Sequence, residues 1–269
     1  MTTDAEHDAR GAAPAAISPD VGWSRGPLLG FDTETTGLDV EADRIVTAAL
    51  VLRGPDGSRT VHTWLLDPGV EIPAEATAIH GITTADARAR GLEAAPALEE
   101  IAATLVAHVR HGAPVVAYNA SFDLTLLDVE LARHGLPTVP DRLGRPVAPV
   151  LDPLVLDRWL DGAREGKRRL GDLCALYGIE GDGDLHSADV DVLATLDVLD
   201  AQLVRHPHLR GTALDALHTA QAGAHRTWAE RVNAERAASA DGRPPTSTAW
   251  PAAGQAYGAT YPWGSAFTG

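Results

Sequence analysis

The chain has 269 residues, a single cysteine and a formal net charge of -15, from 22 basic and 37 acidic side chains. That balance argues against a protein that coats duplex DNA by neutralising many phosphates, and one cysteine excludes an internal disulfide. No apolar run is long enough to cross a bilayer. Asp4, Glu6 and Asp8 stand where a secretory signal would carry basic residues, so a reducing cytoplasm is the expected setting.

Residues 1–26 are rich in Ala, Asp and Pro without helical or strand periodicity, and read as a disordered N-terminal arm. Residues 28–33 form a short apolar strand, and 44–53 and 59–66 are two more, joined as a hairpin through Gly54-Pro55-Asp56-Gly57. Leu98, Ile101, Ala102, Leu105 and Val109 then recur at helical spacing. A fourth strand is expected over 114–118, a helix over 122–134 and a fifth strand over 147–151. Helices follow at 153–160, 170–177, 188–204 and 212–237. Three meandering strands followed by strand and helix alternation give an α/β domain, a five-stranded mixed sheet flanked by helices, over 27–205. The helix within 206–238 carries Leu214, Leu217 and Trp228 on one side and is expected to pack on that domain. Residues 239–269 turn to Gly, Pro, Ser, Thr and Ala and read as a disordered tail. Its Trp250, Tyr257, Tyr261, Trp263 and Phe267 are candidate docking points for a protein partner.

Chemistry gathers in three short motifs. In FDTETTG, Asp32 and Glu34 are two apart on a strand and share a face, so both can point at one cation. Thr35, Thr36 and Gly37 end that strand, and the hydroxyls and backbone N–H groups of the turn could meet a terminal nucleotide. Asp123 in NASFD lies in the first turn of a helix that follows a strand, at the same sheet edge. Asn119 shapes that corner. In HSADVDV, five helical steps separate His186 from Asp191 by roughly 140°, so both cannot face one point from mid-helix. With His186 on the loop before the helix and Asp191 inside it, both reach the metals; Asp189 is the rival on bare helical spacing. Carboxylates favour Mg²⁺ or Mn²⁺ over Zn²⁺. The dense basic run Arg164, Lys167, Arg168 and Arg169 is placed either to meet a strand's phosphates or as a solvated surface. Cys174, in an apolar helix, is most simply a core residue.

Together FDTETTG, NASFDLTLL and HSADVDVLAT resemble the DEDDh branch of the proofreading-exonuclease superfamily, similar to the epsilon subunit of bacterial DNA polymerase III, over about residues 28–203. The form H-x-A-x-x-D in that family's third motif is filled by His186, Ala188 and Asp191, and selects Asp191 over Asp189. The resemblance implies a ribonuclease H-like fold and 3′-to-5′ removal of nucleotides from single-stranded or frayed DNA ends. It also implies two ions, with Asp32 bridging, Glu34 and Asp191 on the ion beside the attacking water, Asp123 on the second, and His186 as general base. The AIHGIT segment resembles the family's stretch near the terminal base, which makes His80 a candidate substrate contact. Its plainer reading is a helix-ending turn with Ile79 and Ile82 buried. The same motifs serve enzymes that act on RNA or short oligonucleotides. A silent nucleic-acid-binding module of a repair or replication complex, tethered through the tail, is the reading from another class, and the intact set of five argues against it.

Overall fold

A computed structural model describes residues 22–179, 186–239 and 242–252. Its strands are β1 (Leu28–Thr35), β2 (Ile45–Arg53), β3 (Arg59–Leu65), β4 (Val115–Val116) and β5 (Val150–Leu151). They form one sheet in the order β3-β2-β1-β4-β5, antiparallel across β1, β2 and β3 and parallel across β1, β4 and β5. The helices are α1 (Ala74–His80), α2 (Thr84–Arg90), α3 (Ala94–Arg110), α4 (Ala120–Arg133), α5 (Val139–Leu143), α6 (Pro153–Leu160), α7 (Leu170–Tyr177), α8 (Ala188–Arg205) and α9 (Leu214–Ser239).

The strand period of two divides β1 and β2 between two apolar layers. Leu29, Phe31, Ala48 and Leu50 face Leu98, Ile101 and Leu105 of α3 and Leu124 and Leu127 of α4. Leu28, Ala49 and Val51 face Val192, Leu196 and Leu199 of α8 and Leu156 of α6. Gly30 sits on the α8 side, and a Cβ there would stand 2.3 Å from Val192 Cγ1 and 3.3 Å from Leu196 Cδ1. Its missing side chain is therefore what lets α8 lie directly on β1. Asp32, two residues further along the same face, is carried under the start of that helix.

An edge strand needs its outer backbone groups covered, and α9 does this for β5. His218 Nδ1 accepts from Val150 N–H at 3.1 Å, Gln221 Oε1 accepts from Asp152 N–H at 2.8 Å, and Gln221 Nε2 donates to Val150 O at 3.1 Å. Leu217 is buried beside them, while Trp228 stays partly exposed.

The two ends of the described chain differ from the expectation of disorder. Trp23 is buried and donates from Nε1 to Thr212 O at 2.9 Å, so residues 22–26 belong to the fold; residues 1–21 lie outside the described ones. Likewise Trp250 and Ala252 are buried in the α3/α4 layer, Trp250 packs on His218 with ring centroids 5.0 Å apart, and Thr246 N–H donates to Asn233 Oδ1 at 2.7 Å. A large ring with one polar N–H is worth burying when a partner for that N–H is at hand, and composition alone does not reveal the partner. Trp250 is thus not available to dock another protein. Tyr257, Tyr261, Trp263 and Phe267 lie outside the described residues.

β4 is shorter than expected because Asn119, at φ 63°, turns the chain directly into α4, and β5 is confined to Val150–Leu151. Three short helices, α1, α2 and α5, stand where the periodicity marks none. Of these α2 and α5 carry reciprocal caps, Thr83 with Asp86 and Thr138 with Asp141. The AIHGIT segment is indeed a helix end, with Gly81 left-handed after α1, but Ile79 is exposed while Ile82 is partly buried.

Candidate active site

Carboxylate oxygens of Asp32, Glu34 and Asp191 all lie within 4.8 Å of one another. β1 supplies the first two from the face that Gly30 opens, and α8 supplies the third from its first turn. Asp189, the rival on spacing, instead accepts from the Ser187 hydroxyl and stays outside this group.

Asp123 reaches the same strand end from the opposite layer. β4 pairs with β1 only at Leu29 and Gly30, so the edge of β1 beyond them has no strand partner. Buried backbone donors must be met somewhere. Asp123 Oδ1 meets Thr33, accepting from its N–H at 3.1 Å and its Oγ1 at 2.7 Å. Asp123 stands outside the close trio, yet its charge is the largest of the neighbouring charges acting on Asp32.

Crowded carboxylates hold their protons. Loss of water, followed by the charges of Asp123, Asp191 and Glu34, pushes the Asp32 pKa well above the ordinary range. Glu34 is pushed up to about 7 by burial and by Asp191. Burial takes Asp123 to about 7 against the pull of its Thr33 bonds, and raises Asp191 although His186 opposes the rise. The donor set fits a hard divalent cation: all oxygen, anionic, close-set, and costly to keep ionised without positive charge.

His186 precedes α8 at φ 104°, a strained value for a side-chain-bearing residue, with its N–H donating to Asp191 Oδ1 at 3.2 Å. Its side chain is exposed. It therefore stands outside the helix with Asp191 inside it, which meets the angular requirement that one of the two leave the helix, while the adjoining residues 180–185 lie outside the described ones.

The turn after β1 does internal work that the sequence did not disclose. Thr35 Oγ1 donates to Gly37 O at 2.6 Å. Thr36 is buried; its hydroxyl donates to Asp43 Oδ1 at 2.7 Å and accepts from Arg44 N–H at 3.0 Å, and its own N–H donates to Arg44 O. Both threonine hydroxyls spend their proton within the turn, and Thr36 is buried, unlike the open substrate contact expected of it. Gly37 makes room for the Asp43 carboxylate, 2.4 Å from where a Cβ would stand. Asn119 presents an exposed side chain that caps nothing. His80 is half-buried, its Nδ1 accepts from Ile82 N–H at 3.2 Å, and burial holds its pKa below the usual histidine value.

A residue the motifs did not mark holds this corner together. Buried Asp152 accepts from Asn119 N–H and Ala120 N–H at the start of α4, from Leu154 N–H and Val155 N–H at the start of α6, and from Trp250 Nε1. The basic run is also partly structural. Arg164 Nη2 pairs with buried Asp157 at 2.8 Å, and Arg168 binds the same carboxylate and the backbone carbonyls of Asp157, Asp161 and Arg164. Cys174 is buried with Leu173, Ala194 and Val198.

Residues 29–199 match the model of the RNase_T exonuclease family. The chain belongs to this family. It is 37% identical over 139 residues to a "DNA polymerase III subunit epsilon-like protein" of Rhodobacter capsulatus, covering 51% of this chain and 18% of that one. It is 32% identical to an "Uncharacterized exonuclease" of Escherichia phage 186, over 66% of this chain and 89% of the phage protein. Among solved structures, E. coli Exonuclease I in complex with a dT13 oligonucleotide superposes with a TM-score of 0.57 at 23% identity, over 68% of this chain and 42% of that one. Exonuclease I of Methylocaldum szegediense gives a TM-score of 0.52 at 27% identity, over 69% and 42%. The chain thus spans less than half of either Exonuclease I and a small part of the Rhodobacter protein. The fold is the ribonuclease H-like α/β fold of the proofreading exonucleases, and the acidic trio suits their dependence on a divalent metal.

Proposed function

We propose that the protein is a divalent-metal-dependent 3′-to-5′ exonuclease that hydrolyses the terminal phosphodiester of single-stranded or frayed DNA. The observation that carries this reading is the convergence of Asp32, Glu34 and Asp191 within 4.8 Å, at the strand end that Asp123 braces. Asp32, Glu34 and Asp191 would hold one Mg²⁺ or Mn²⁺, and Asp32 with Asp123 a second. Such ions, when bound, supply positive charge to the phosphoryl group and to the attacking and leaving oxygens.

The chain's own groups do the rest. His186, exposed at the mouth and tied by its backbone to Asp191, takes the proton of the attacking water; a general base of this kind contributes roughly 10² to 10⁴-fold. Asn119, His80 and the backbone at Thr35 and Gly37 meet the terminal nucleotide. A cytoplasmic setting suits the lone Cys174, and among the described residues no helix is long and apolar enough to cross a membrane. The test uses DNA and RNA oligonucleotides labelled at the 5′ end, with magnesium, manganese or chelator. Stepwise shortening from the 3′ end that requires metal and disappears in Asp32→Ala is expected. Shortening from the 5′ end, or full activity in that variant, overturns the reading, and a preference for RNA corrects its substrate.

A further inference from the structure

Away from the carboxylates, α6 and α9 enclose a cleft of about 720 Å³. Among the described residues its ionisable lining is arginine alone, Arg158, Arg168 and Arg231, beside the rings of Trp159 and Trp228. That is a local reversal of sign in a chain with a net charge of -15. The Arg158 guanidinium lies 3.6 Å from the centre of the Trp228 ring. Asp152 and Asp157 act on it only through space, and among the described residues no carboxylate forms an ion pair with it. Arg168 is committed to Asp157, whereas Arg231 pairs, among the described residues, with Glu235 alone, an exposed pair of the kind worth little in water. Trp159 leaves 44% of its surface uncovered at the rim.

We propose that this cleft is a second nucleic-acid contact, holding the single strand on the 5′ side of the nucleotide being removed. The inference rests on the exonuclease reading above. Arginine beside exposed aromatic rings is the combination that binds single strands without reading their sequence: phosphates meet the guanidinium groups and bases stack on the rings. The volume suits one or two nucleotides rather than a folded domain. A hydrogen bond also ties cleft to site. Tyr118 Oη donates to Arg168 O at 2.7 Å, and the next residue is Asn119 at the catalytic corner. α6, whose first turn is set by Asp152 and whose last carries Arg158, is about 12 Å long, so the catalytic corner and the cleft lie at the two ends of one short helix. The carboxylates would then act on the end while the cleft retains the strand behind it.

The test compares the full chain with Trp159→Ala and Arg158→Gln on fluorescein-labelled single-stranded DNA from two to twelve nucleotides long. KM and kcat are measured in Mg²⁺, and binding by anisotropy. The loss should grow with length, at most about twofold in KM for the dinucleotide and about tenfold for the 12-mer, with Trp159→Phe recovering most of it. Thermal melts accompany each variant so that a folding defect is seen as a loss at every length. An unaltered 12-mer KM, or a change independent of length in a stably folded variant, overturns the proposal. So does weakened binding of an Asp-rich peptide with the 12-mer unaffected, which would assign the cleft to a protein. If the unaltered chain cuts none of these lengths, the exonuclease reading itself has failed.

Discussion

Replacing Glu34 with glutamine tests whether the acidic trio is a cation site held open at a cost. Its carboxyl is moved from the ordinary 4.5 to about 7 by lost hydration and by Asp191. Such a shift corresponds to about 3 kcal/mol against the folded, ionised state. Glu34 keeps part of its surface in water, so a fair figure is about 1–2 kcal/mol. The sign follows from proton binding. An acid whose folded pKa is raised binds more protons in the native state between pH 4.5 and 7, so metal-free stability falls as pH rises through that window. Glutamine carries no charge to desolvate. In chelator at pH 8, Glu34→Gln should therefore melt roughly 3–6 °C above the parent, and the gap should shrink at pH 5. With millimolar Mg²⁺ the order should reverse, because binding to the native state stabilises the parent and the variant has lost a ligand. Calorimetry or fluorescence melts over pH 5–8, with and without metal, supply the readings. A variant that melts at or below the parent at pH 8 in chelator would refute the reasoning.

Three further outcomes are expected. Gly30→Ala places a methyl 2.3 Å from Val192 Cγ1, which a β-branched side chain cannot readily yield. It should cost about 1–3 kcal/mol in stability and, by lifting α8 and Asp191 from Asp32, about 10²-fold in kcat, read by melts and by oligonucleotide turnover. Thr33→Val removes the hydroxyl from Asp123 and should lower metal affinity or turnover about 10–100-fold with little change in melting; equal activity would show that Asp123 needs no such support. Gln221→Leu leaves Val150 O and Asp152 N–H without their covering partner at the β5 edge, and should cost about 2–4 kcal/mol by urea titration.

What the sequence alone determined was the local chemistry. Spacing put Asp32 and Glu34 on one face of a strand, helical geometry barred His186 and Asp191 from both facing one point mid-helix while motif resemblance chose Asp191 over Asp189, and apolar periodicity marked five strands and the longer helices. Those facts need only neighbours in the chain. Helices of five to seven residues, such as α1, α2 and α5, offer too few turns for a periodic signal, though T-x-x-D caps at Thr83 and Thr138 were there to be read. Tertiary structure decided the rest, since each remaining fact depends on a partner far along the chain. Gly30 admits α8, Thr33 anchors Asp123, and Asp152 ties the starts of two helices to Trp250. Arg164 and Arg168 turn inward to Asp157 and Thr36 to Asp43, although their composition alone suggested surface and substrate. A side chain's type says what it can bind; only the fold says which partner takes up its hydrogen bonds first.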